Sequence, residues 1–138
     1  MIIYGSSLSP YVRKTLAYTA EKGIAVEVKL VGLRGEDPEF REASPFGKMP
    51  GFRDGDFAIS DSTAIITYLE TKTPEPNLLP TEARARARTV WYEEFADTVL
   101  IAASSKVFFN RFVAPRFMGR EGDLAVAEIG RASCRERV

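Results

Sequence analysis

Residues 44–62, Ser-Pro-Phe-Gly-Lys-Met-Pro-Gly-Phe-Arg-Asp-Gly-Asp-Phe-Ala-Ile-Ser-Asp-Ser, constrain the fold more than any other stretch of this chain. Asp54-Gly55 between two short apolar runs is a strong local signal for a β-hairpin. Ser60-Asp61-Ser62 ahead of an amphipathic pattern is an N-cap signal. Pro50 donates no N–H and suits the start or edge of a strand. The pattern predicts a strand, a turn at Asp54-Gly55, a second strand and a helix over residues 61–72. Ala64, Ile65, Tyr68 and Leu69 are its expected buried face.

Such a unit can hold an extended peptide. With a cis Met49-Pro50 bond, the Met49 backbone N–H and C=O would face outward, where a ligand backbone can pair with them. A helix N-terminus at Ser62 offers free N–H groups and partial positive charge, which suit a carboxylate. An ordinary hairpin followed by a capped helix satisfies the same pattern, so the other segments decide between the two.

The composition excludes several chemistries. The 138 residues contain no histidine and one cysteine, Cys134. A His-based triad, a His/Cys zinc site and an internal disulfide therefore lack their parts, and no metal site is expected. Chemistry on sulfur must use sulfur brought by a ligand, or Cys134. The formal net charge is zero, which gives no support to nucleic acid or an anionic membrane as partner. No apolar run reaches transmembrane length and the N-terminus lacks signal-peptide form, so a cytoplasmic protein is the expectation.

Met1-Ile2-Ile3-Tyr4 reads as a short buried strand and Gly5-Ser6-Ser7-Leu8 as a loop. Ser9-Pro10 gives an N-cap with proline at the first helical position. The helix should cover residues 10–22, with Val12, Leu16, Ala17 and Ala20 on one face and Gly23 as its stop. Residues 26–31 alternate with period two, a strand with one face buried. Strand, helix and strand in this span form a right-handed βαβ unit with parallel strands. After a charged loop, Asp37-Pro38 starts a short irregular helix ending near Ala43.

Residues 73–80 hold three prolines and read as a linker. Thr81 is then expected to cap a long helix to about Phe112, with Trp91, Phe95, Val99 and Ala102 buried. Arg84 and Arg88, one turn apart, read as a solvated face in preference to a phosphate-binding stripe. Phe108, Phe109 and Phe112 should be covered by something. Gly119 to Ala127 reads as a turn and the start of another helix. Residues 129–138 continue no earlier pattern and read as a non-native tail, which would make Cys134 incidental.

The order Gly47-Lys48-Met49-Pro50, strand, Asp54-Gly55, strand, Asp61-Ser62, helix resembles the glutathione-binding half of glutathione S-transferases. The element order βαβ-α-ββα is similar to their thioredoxin-like fold. The resemblance implies an α/β thioredoxin-like domain over residues 1–80, linker included. An incomplete all-α domain would follow over residues 81–138.

Ser9-Pro10-Tyr11-Val12-Arg13 resembles the serine form of the family's active-site motif. That implies Ser9 as the hydroxyl that activates the glutathione thiol, with Ser6 and Ser7 as rivals. It further implies a cis Met49-Pro50 bond, with the Met49 backbone pairing with the cysteinyl part and Pro50 setting that geometry. Ser62 would take the γ-glutamyl carboxylate, Asp61 the γ-glutamyl ammonium, and Lys48 the glycyl end. Ser9 and Lys48 also have plainer readings, as an N-cap and as a solvated lysine beside a turn. Phe46 is either a core residue or an aromatic key inserted into a partner subunit of a homodimer.

The implied function is a transferase with glutathione as co-substrate, attacking an apolar electrophile in a pocket formed partly by Tyr11 and the aromatic end of the long helix. A non-catalytic, transferase-like regulatory module and a glutathione-dependent isomerase are the alternatives.

Overall fold

A computed structural model describes residues 1–32 and 35–136. Part of the charged loop, residues 33 and 34, and the last two residues of the expected tail lie outside them. The chain divides into two compact units at Leu79 and Pro80.

The first unit holds a four-stranded sheet and three helices. Its elements are β1 (Ile2–Tyr4), α1 (Pro10–Glu21), β2 (Glu27–Lys29), α2 (Pro38–Ala43), β3 (Gly51–Asp54), β4 (Phe57–Ser60) and α3 (Ser62–Lys72). The strand order is β2-β1-β3-β4. β1 runs parallel to β2 and antiparallel to β3, and β3 runs antiparallel to β4. This is the expected βαβ-α-ββα order.

Alternation along the strands splits the core in two. Ile3 and Phe52 lie opposite each other and pack with Val12, Tyr18, Ile65, Ile66 and Leu69 of α1 and α3. Tyr4 packs with Val31 and with Phe40 and Ala43 of α2 in a second cluster. A Cβ on Gly5 would lie 2.5 Å from Val12 Cγ2, so glycine there permits α1 to come close.

Several local expectations shift. The buried side of α1 is Val12, Thr15, Tyr18 and Thr19, while Ala17 and Ala20 face solvent. Thr15 and Thr19 hide their polarity by donating to the Tyr11 and Leu16 carbonyls at 3.1 and 2.9 Å, so threonine can occupy the core. Gly23 ends α1 with φ +65°, as expected; its N–H donates to Ala20 and that of Ile24 to Thr19, a Schellman ending.

The second strand shrinks to three residues, and Leu30 is 80% exposed. β2 is an edge strand, and its three residues pair with the three of β1. The hairpin loop is Gly55-Asp56 rather than Asp54-Gly55, since Asp54 pairs with Phe57. Gly55 has φ +61°, which a tight hairpin turn requires at its first loop position.

In the second unit one unbroken helix runs from residue 83 to residue 117. Its parts are α4 (Ala83–Glu94), a π-helical stretch (Phe95–Leu100), α5 (Ile101–Phe108), a second π-helical stretch (Phe109–Val113) and α6 (Ala114–Phe117). Its cap is Glu82, not Thr81. The Glu82 carboxylate accepts from the Arg84 and Ala85 amides at 2.9 and 2.8 Å.

The expected buried stripe is also displaced. Trp91 is 64% exposed, and burial falls instead on Ala103, Asn110, Val113 and Ala114. No residue of α4 or of the first π-helical stretch is buried, and burial begins in α5, against which the last helix packs. α7 (Leu124–Glu136) packs along α5 and the second π-helical stretch. It continues through residue 129, where the sequence pattern breaks.

Candidate functional site

The register of the sheet assembles the site. Tyr4 pairs with Gly51, and Gly51 pairs with Ser60. Neighbouring residues across antiparallel strands lie about 5 Å apart, so these three form a short row at one end of the sheet. The chain leaves that row from Tyr4 into the loop that starts α1. It reaches the row through Met49-Pro50, and leaves it again from Ser60 into Asp61-Ser62 and α3. Ser9, Met49 and Ser62 therefore belong to segments gathered at one edge.

Ser9 caps α1. Its Oγ accepts from the Val12 amide at 3.4 Å, with Pro10 at the first helical position. A hydroxyl that accepts one hydrogen bond still has its proton to donate, so capping and thiol activation are compatible. Ser6 Oγ accepts from the Leu8 amide at 3.3 Å, and the Ser6 carbonyl accepts from the Ser9 N–H at 2.9 Å. Ser7 is exposed.

The Met49-Pro50 bond is cis, as is Glu75-Pro76. Pro50 is fully buried. Met49 is half-buried and touches both core clusters. Among the described residues its backbone N–H and C=O have no hydrogen-bond partner. Ser44 holds the loop before it. The buried Ser44 Oγ donates to the Lys48 carbonyl at 2.7 Å and accepts from the Lys48 amide at 3.0 Å. Lys48 itself is exposed. Phe46 is 85% exposed, which removes the core reading of that residue.

Asp61 is the N-cap of α3. Its Oδ1 accepts from the Thr63 and Ala64 amides at 2.9 and 3.1 Å. It has φ +81° and is the sole non-glycine residue with positive φ among those described. Such strained backbone concentrates at functional sites. Ser62 begins the helix and is 2% exposed. No described residue bonds its hydroxyl. A hydroxyl without a protein partner keeps its donor and acceptor positions available to a ligand.

Sequence reasoning missed Ser44 and Lys14. Lys14 Nζ reaches from α1 to Thr63 Oγ1 at 3.3 Å. No local pattern signals either contact, because each depends on how distant loops and helices meet. Among the described residues, no group of three or more His, Cys, Asp or Glu side chains could hold a metal ion. No described helix is long and apolar enough to cross a membrane.

Residues 3–77 match the sequence profile described as the N-terminal domain of glutathione S-transferase. The chain belongs to the glutathione S-transferase family. Every candidate residue from Ser9 to Ser62 lies inside the matched span. The chain is 34% identical over 131 residues to Glutathione S-transferase 3 of Zea mays, covering 91% of this chain and 58% of that protein. It is 44% identical over 85 residues to Glutathione S-transferase Z1 of Arabidopsis thaliana, covering 59% of this chain and 37% of that one.

Among solved structures, a theta-class glutathione S-transferase from Xanthomonas axonopodis pv. citri with glutathione bound superimposes with a TM-score of 0.83 at 25% identity. That match covers 98% of this chain and 65% of the other. The first unit is thus the family's thioredoxin-like domain, followed by an all-α part. The chain spans less than two thirds of the length of each of these relatives.

Proposed function

We propose that this chain binds glutathione at the Tyr4-Gly51-Ser60 end of the sheet and that Ser9 activates its thiol for attack on an apolar electrophile. One observation carries the reading: the sheet register gathers a capping serine, an unpaired Met49 backbone and the unpartnered Ser62 hydroxyl at one edge. In this reading the extended cysteinyl backbone pairs with Met49, whose geometry Pro50 sets. The γ-glutamyl carboxylate takes the Ser62 hydroxyl and the Ser62 N–H. Asp61 meets the ammonium through the oxygen that does not cap the helix, and Lys48 meets the glycyl carboxylate.

Ser9 then works by donation. The thiol proton passes to solvent, and the Ser9 hydroxyl donates to the thiolate without losing its own proton. A free thiol titrates near a pKa of about 8.5, and lowering that by two units takes about 2.7 kcal/mol of thiolate stabilisation. A hydrogen bond to a charged acceptor supplies about 1.5–3 kcal/mol, and the start of α1 adds up to about 1 kcal/mol. The sum suffices. The thiolate forms the new C–S bond, and in a substitution the leaving group departs with the electron pair of the broken bond.

The same reading includes a homodimer in the cytoplasm, with exposed Phe46 as an inter-subunit contact. Calorimetric titration with glutathione, followed by conjugation to chlorodinitrobenzene, tests the proposal. Binding by the chain, with at least about tenfold slower conjugation by Ser9→Ala at nearly unchanged affinity, supports it. Failure to bind glutathione refutes it. Binding without turnover refutes the catalytic part and favours a regulatory module, while isomerisation that consumes no glutathione favours an isomerase.

A further inference from the structure

We propose that Arg41 is a positioning residue that sets the turn presenting Lys48 and Met49 to glutathione. The proposal rests on the glutathione reading of the site. Arg41 lies in the last turn of α2, and its side chain reaches the loops on both sides of that helix. Its Nε donates to the Gly35 carbonyl at 2.5 Å. A Cβ built on Gly47 would lie 2.6 Å from Arg41 Nη1 and 3.1 Å from its Cζ. The guanidinium is therefore packed against Gly47.

Gly47 belongs to the turn that leads into the site. Its N–H donates to the Ser44 carbonyl at 2.8 Å, and Ser44 Oγ brackets the Lys48 amide and carbonyl. Gly47 has φ +65°, so glycine here admits both the turn and the guanidinium. Met49 and the buried Pro50 follow directly. Hydrophobic packing does not fix this turn, since Pro45 and Phe46 are exposed and lie outside both core clusters. Buried Ser44 bonds it, and the exposed Arg41 packs on it.

Helix electrostatics offer a plainer role, because a cation in the last turn of α2 suits its C-terminus. A lysine would serve there as well as arginine. It would not serve the proposed role, which uses Nε on one loop and the planar guanidinium edge on the other. Small displacements of Lys48 and Met49 would weaken their contacts to the ligand. Ser9 stands on a separate segment, the start of α1. Arg41 should therefore act on affinity and leave thiol activation alone.

Three measurements on the unaltered chain, Arg41→Ala and Arg41→Lys test this: amide hydrogen exchange without ligand, calorimetric affinity for glutathione, and the pH midpoint of the bound thiol. Both substitutions should speed exchange at the Gly47 and Lys48 amides and weaken glutathione binding by about fivefold or more. The bound thiol should keep the midpoint of the unaltered chain, a split that general loss of structure would not produce. Unchanged exchange or unchanged affinity in Arg41→Ala overturns the Arg41 assignment alone. Full rescue of affinity by Arg41→Lys would show that charge suffices, and it also overturns the assignment, as does a thiol midpoint that shifts together with affinity. If the unaltered chain does not bind glutathione, the glutathione reading falls and this proposal with it.

Discussion

Lys22 and Glu70 form an ion pair of 2.6 Å in which the lysine side chain is wholly sealed from solvent. Lys22 also donates to the Thr73 and Pro74 carbonyls at 2.6 and 3.3 Å. Glu70 accepts from the Tyr18 hydroxyl and from the Leu78 and Leu79 amides. The ends of α1 and α3 and the linker of residues 73–79 are thereby tied in one network. Removing one partner of a buried pair leaves an uncompensated charge. Glu70→Ala should cost about 3 kcal/mol in urea unfolding and speed hydrogen exchange at Leu78 and Leu79.

The same network sets a pH dependence. Burial pushes the Glu70 carboxyl upward, but Lys22, Tyr18 and the Leu79 amide outweigh it and hold the group below its ordinary value. A depressed carboxyl stabilises the fold fully above its unfolded pKa, and that contribution vanishes as pH falls through the folded value. The unfolding midpoint should therefore drop between about pH 5 and about pH 3, and drop less in Glu70→Gln. Equal losses in both proteins would remove Glu70 from the account.

Ser62→Ala removes a hydroxyl that no described residue uses. It should weaken glutathione binding by about tenfold, the loss of one hydrogen bond to a charged group. The melting temperature should stay about the same, since a hydroxyl without a protein partner adds no hydrogen bond to the fold. A lower melting temperature with unchanged affinity would show the hydroxyl to be structural.

The sequence shows the framework of this protein more clearly than its contacts. Hairpin, N-caps and helix stops depend on neighbouring residues, so β3, β4, α2 and the Gly23 ending were legible with shifts of a residue or two. Ser9, Met49 and Asp61-Ser62 stood out because caps and X-Pro bonds leave local marks. Ser44, Lys14 and the Lys22–Glu70 pair left none, since each acts on a segment outside its own pattern. The long helix misled for a different cause. A helical period shows that one face is apolar but not which part of the helix is covered. α4 has no buried residue, so Trp91 faces solvent, while Asn110, where α7 packs, is buried and donates to the Lys106 carbonyl at 2.9 Å.

Gly130 tests whether the segment beyond residue 129 packs as part of the second unit. A Cβ there would lie 2.7 Å from the Ala103 carbonyl oxygen and 2.8 Å from Lys106 Cβ. Gly130→Val should destabilise the second unit by about 2 kcal/mol through overpacking, read as faster hydrogen exchange in α5 and α7. Unchanged exchange would mean that α7 is not docked there in solution.

The aromatic end of the long helix is incompletely covered. Phe112 stacks on Phe108 at 5.2 Å and meets Phe117 at 5.8 Å, while Phe108, Phe109, Phe117 and Met118 remain exposed. An apolar patch of this kind is adhesive. Light scattering should show concentration-dependent association of this chain that Phe109→Ser combined with Phe117→Ser reduces. A monomer at all concentrations would contradict that.

The central claim is that Ser9 stabilises a glutathione thiolate, and the titration of that thiol on the protein addresses it directly. Thiolate absorbance in the near ultraviolet, followed against pH for bound glutathione, should give a midpoint about two units below the free value of about 8.5. Ser9→Ala should return the midpoint most of the way, while Ser7→Ala leaves it depressed. A depressed midpoint that survives Ser9→Ala and vanishes in Ser7→Ala or Ser6→Ala would contradict the assignment of Ser9. A midpoint at the free value in the unaltered protein would contradict thiol activation altogether.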